Sequence, residues 1–103
     1  MDLDRLAERA RELQDLLTRY AASDAGVRGL QKALAPSIAD ALARRVAAPV
    51  EWRDIPGGRA FSEFDLGRHA GLEEAFAAFR IELGGGESPA LRRLREQMKP
   101  GHG

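Results

Sequence analysis

The chain has 103 residues, 44% hydrophobic and 31% charged, with sixteen basic residues balancing sixteen acidic ones. A chain of this length holds one modest core, hiding roughly two-thirds of its unfolded surface, and its composition sits inside the globular range, so that neither a disordered nor a fibrous reading is required. Neutrality excludes a molecule-wide positive field that would gather nucleic acid or anionic membrane, and the lack of cysteine excludes a disulfide framework, a thiolate nucleophile and a cysteine-based zinc site.

The first residues, Met-Asp-Leu-Asp-Arg, place acids where a secretory signal carries bases, and no apolar run approaches the roughly 18 residues of a membrane span. The expected location is the cytoplasm. Arginine outnumbers lysine 14 to 2 and alanine reaches 18 residues, a bias that fits a GC-rich bacterial gene.

Leu3, Leu6, Ala10, Leu13, Leu17 and Tyr20 recur at alternating spacings of three and four, which keeps them on one stripe of a helix. Asp2 stands where a cap belongs. Arg5, Glu8, Glu12, Asp15 and Arg19 fall on the other side, with Asp15 four residues before Arg19, the favourable order for an ion pair. A second series, Val27, Leu30, Leu34, Ile38 and Leu42, follows Ser23 or Asp24 as its cap. Pro36 interrupts this series; proline inside a helix costs about 3 kcal/mol but fits a first turn. The expectation is therefore two short helices split near Ala35, at about 24–34 and 37–47.

Between Pro49 and Gly67 the periodicity changes: Val50 and Trp52 alternate with Glu51 and Arg53 ahead of Pro56-Gly57-Gly58. This predicts a short β-hairpin or an ordered loop at 50–64, anchored on the helices by Trp52 and by Phe61 or Phe64. Leu72, Phe76, Phe79 and Leu83 define a further helix that Gly84-Gly85-Gly86 ends. Ser88-Pro89 opens a last short helix carrying Leu91, Leu94 and Met98 before Pro100. The fold class read from these elements is mainly α: a small bundle of four to five helices in one domain over residues 1–100, with 101–103 as a flexible tail.

Asp65, His69 and Glu73 are spaced by four; on one helix they would offer oxygen and nitrogen ligands to a metal, the basis of a small metal-dependent enzyme. Gly67 and Gly71 weaken such a helix, and Asp65 and Glu73 have ordinary roles as cap and first-turn charge. His69 is the one histidine outside the tail, and Ser23, Ser37, Ser62 and Ser88 lack the turn of a nucleophilic serine. Neither glycine run has the spacing or the following lysine of a phosphate loop. Arg92, Arg93 and Arg95 make the last helix basic, and the helices flanking Ala35-Pro36-Ser37 loosely resemble a helix-turn-helix. Together these form the nucleic-acid alternative.

The functional expectation that remains is a non-enzymatic interaction protein, such as an accessory subunit, small chaperone or regulator, with no cofactor. It would self-associate, as a homodimer, or bind another chain through apolar helix faces. The interface residues so read are Leu3, Leu6, Leu13, Leu17, Tyr20 and Trp52.

Overall fold

A computed structural model of the chain describes residues 2–85 and Leu94. Helix α1, Leu3–Ala21, starts where Asp2 accepts a hydrogen bond from the Arg5 N–H at 3.0 Å, satisfying one of the amides a helix start leaves open. Its stripe of Leu6, Ala10, Leu13 and Leu17 is fully buried. A three-residue turn leads into α2, Ala25–Leu42, capped by Asp24 rather than Ser23: the Asp24 Oδ1 accepts from Gly26 N at 2.8 Å and from Val27 N at 3.4 Å.

Helix α2 runs through Pro36 without a break, so the expected split near Ala35 is corrected. The reason is visible in the burial. Pro36 is exposed, and the carbonyl that its missing N–H leaves open lies on the wet side of the helix, where water can serve it. Leu34 and Ile38 on either side are buried against α1, and at about 1.5–3 kcal/mol for each buried side chain of this size their packing offsets the cost of about 3 kcal/mol. The two-helix turn needed for a helix-turn-helix is absent for the same reason.

The end of α2 is a left-handed cap. Arg44, at φ 56°, sends its N–H to Ala41 O and is followed by Arg45 N to Asp40 O at 2.8 Å, the paired bonds of a Schellman turn. At the end of α4 Gly85 also takes the left-handed conformation, at φ 105°, and its N–H reaches Glu82 O at 3.1 Å.

Residues 50–64 form an ordered loop, and no strand occurs among the described residues. A single 3-10 turn, Trp52–Asp54, precedes the one-turn helix α3, Ala60–Glu63. The hairpin reading fails because the backbone finds other partners: the Val50 N–H donates to Leu83 O at 2.9 Å, tying the loop to the end of α4. Ile55 is the buried anchor; the side chain of Trp52 lies outside the described residues. A second 3-10 turn, Leu66–Arg68, leads to α4, Leu72–Leu83, which buries Leu72, Phe76, Phe79 and Leu83. Helix α1 packs on both α2 and α4, so the three long helices share one core and the 43–71 segment wraps its open side. The last helix expected at 88–99 and the 101–103 tail lie outside the described residues, apart from a helical Leu94.

Candidate functional site

The seam first read as an interface is occupied by the chain itself. Leu6, Leu13 and Leu17 are at most 1% exposed, and Leu3 and Tyr20 pack partly buried against the same core. An amphipathic stripe about two and a half heptads long cannot say from its spacing whether another helix of its own chain or a partner's will cover it; α2 and α4 are close enough to do so.

The proposed metal ligands do not converge. Asp65 is exposed in a left-handed conformation at φ 52°, and Gly71 at φ 78° starts α4 one residue before Leu72, so no helix carries the three side chains on one face. No group of three histidine, aspartate or glutamate side chains able to hold a metal ion occurs among the described residues.

His69 has a different partner. Its Nε2 lies 2.7 Å from Asp24 Oδ2, which also accepts from the Arg68 Nη2 at 2.6 Å. Its ring stacks on Tyr20 at 4.4 Å, and the Tyr20 hydroxyl donates to Ala70 O at 2.8 Å. Arg68 completes the arrangement by donating to the carbonyls of Phe64 and Asp65. The hydrogen bond from His69 is the largest influence on Asp24, holding its carboxyl below the usual carboxylate range; partial burial opposes it, and the two α2 amides and the Arg68 charge add to it. One carboxylate thus caps α2 and fastens the segment before α4 to the α1–α2 turn. Chemically this is a clasp: no serine hydroxyl is hydrogen-bonded to His69 among the described residues. The sequence marked both Asp24 and His69, one as a cap and one as a lone histidine, but nothing in their spacing pairs residues 45 apart.

The second feature is a cleft of about 760 Å³ between the first half of α2 and the 53–64 segment. Ala25, Gly29, Leu30 and Ala33 form its α2 wall, Ile55, Pro56 and Gly57 its opposite wall, and Arg53, Arg59, Glu63, Phe64 and Arg80 its rim. Two glycines set its shape. A Cβ on Gly57 would lie 2.5 Å from Leu30 Cδ1, at a φ of 107° that disfavours any other residue, and a Cβ on Gly26 would lie 2.9 Å from the Phe64 Cβ. Behind the cleft Phe61 stacks on Phe76 at 5.0 Å, and the Arg80 guanidinium lies 5.7 Å from the Phe76 ring centre. Phe64 remains 54% exposed at the mouth. Sequence reading named Phe64 only as a core anchor, because an aromatic beside a turn gives no sign of which way it faces.

Arg92, Arg93 and Arg95, the candidate nucleic-acid contacts, lie outside the described residues. No helix of the described residues is long and apolar enough to cross a membrane. No protein-family model, curated protein or solved structure matches the chain.

Proposed function

We propose that this chain is a non-enzymatic interaction module of the bacterial cytoplasm, binding another protein chain through apolar surface. The observation that supports this reading is the open cleft between α2 and the 53–64 segment with Phe64 exposed at its edge. A concave apolar surface with a large aromatic at its mouth is the form in which binding energy concentrates. The interaction moves in this reading from the α1 seam, which the bundle fills, to the opposite edge of α2.

Substituting Phe64 removes an exposed side chain, so Phe64→Asp should keep the wild-type circular dichroism and melting temperature. Affinity capture from source-cell lysate, quantified by mass spectrometry against Phe64→Asp bait, should yield proteins that wild type retains and the variant loses. Light scattering on the same two samples separates self-association from a heterologous partner. Identical capture profiles together with a monomeric wild type would reject the reading.

A further inference from the structure

The rim of the cleft says more about its occupant than the walls do. Arg53, Arg59 and Arg80 line it against a single acid, Glu63, a local excess of positive charge in a chain whose total charge is zero. Gly58 lets Arg80 lie against the loop: a Cβ there would stand 3.3 Å from the Arg80 Nη1. The Phe76 ring backs the same guanidinium, so one of the three cations is held in place before anything binds.

From this we infer that the cleft receives an acidic segment of a heterologous partner protein, its carboxylates on the exposed Arg53 and Arg59 and an apolar side chain on the Leu30–Ala33 wall. The inference rests on the interaction reading above and gives that partner a chemistry. Two nearer occupants have the wrong charge. Residues 86–103 carry Arg92, Arg93, Arg95 and Lys99 against Glu87 and Glu96, so the chain's own C-terminal segment would bring like charge to the rim. The outer face of α1 carries four arginines against four acids, so that face of a second copy brings no net negative charge to the rim. Nucleic acid would satisfy the arginines but leave the apolar wall unused, whereas an acidic peptide with leucine-type side chains uses both.

Fluorescence polarisation with three labelled peptides of equal length tests this: one of glutamate and leucine, one of lysine and leucine, one of glutamate and serine. The glutamate–leucine peptide should bind tightest, and R53A/R59A, which alters two exposed side chains, should weaken it by about tenfold or more and flatten its salt dependence. Equal binding of the lysine–leucine peptide, no effect of R53A/R59A, or tighter binding of a labelled single-stranded oligonucleotide at the same arginines would overturn the inference. Capture that depends on Phe64 but ignores R53A/R59A would overturn it while leaving the interaction reading standing. Identical capture by wild type and Phe64→Asp together with a monomeric wild type would remove that reading and this one with it.

Discussion

The three long helices and the 43–71 segment that wraps them are ordered by different physics. In the bundle, order comes from many interchangeable contacts: leucines, alanines and phenylalanines repeat at helical spacing, and each buries roughly what its neighbours bury. In the wrapping segment it comes from single residues with no substitute. Ile55 is the buried anchor of its loop, Gly57 adopts a φ of 107° against Leu30, Gly71 turns the chain into α4, and Asp24 holds Arg68 and His69. Repetition therefore gives the bundle its stability, and exceptions give the cleft its shape.

The largest test of this contrast is Leu13, which is fully buried. Leu13→Ala should cost about 3–5 kcal/mol in urea denaturation, and Leu13→Glu should abolish the folded circular dichroism. A Leu13→Glu protein that keeps its fold and merely changes oligomeric state would place the seam outside the core. Gly57→Ala comes next, with a loss of about 1–3 kcal/mol from the strained φ and the contact with Leu30. The same substitution should weaken peptide binding at the cleft, whereas Leu13→Ala at matched stability should not. Pro36→Ala restores an amide on the exposed face of α2 and should raise stability by about 1–3 kcal/mol; a loss there would mean that the proline packs on something.

The smallest effect is electrostatic. Because the Asp24 carboxyl is held below its ordinary value of 3.8, its contribution is fully present above that pH and is lost as pH falls through the lower, folded value. Thermal melts between pH 5 and pH 2 should therefore drop less steeply for Asp24→Asn than for wild type, while Asp24→Asn melts lower than wild type at pH 5. Parallel melting curves would show that the charge of Asp24 contributes nothing that asparagine does not supply.

Sequence made the repetitive half of the molecule legible and the exceptional half only in part. The stripes at 3–20 and 72–83, the cap of α1 at Asp2, that of α2 at Ser23 or Asp24 and the glycine stop at 84–85 follow from spacing and helix-end chemistry. Pro36 misled because the local penalty for proline is easy to read, whereas the packing of Leu34 and Ile38 that offsets it becomes visible only with α1 in place. Arg44 misled in the same direction, since a left-handed helix end is announced by glycine at 85 and not by arginine at 44. The cleft was not legible at all. Apart from Leu30 its α2 wall is made of the small residues Ala25, Gly29 and Ala33, which give no hydrophobic signal of their own, and its three arginines are spread over 28 positions from Arg53 to Arg80.

The clasp also fixes an order of assembly. Helices α1 and α2 are joined by a turn of three residues, so their contacts close a short loop; Asp24 and His69 are 45 residues apart, and Tyr20 and Ala70 are 50 apart. Closing the longer loop costs more chain entropy before any contact rewards it, which predicts that the helical hairpin forms first and that the clasp fastens afterwards. The matching prediction concerns His69, which touches only the clasp: His69→Ala should quicken unfolding while refolding keeps its pace in stopped-flow measurements.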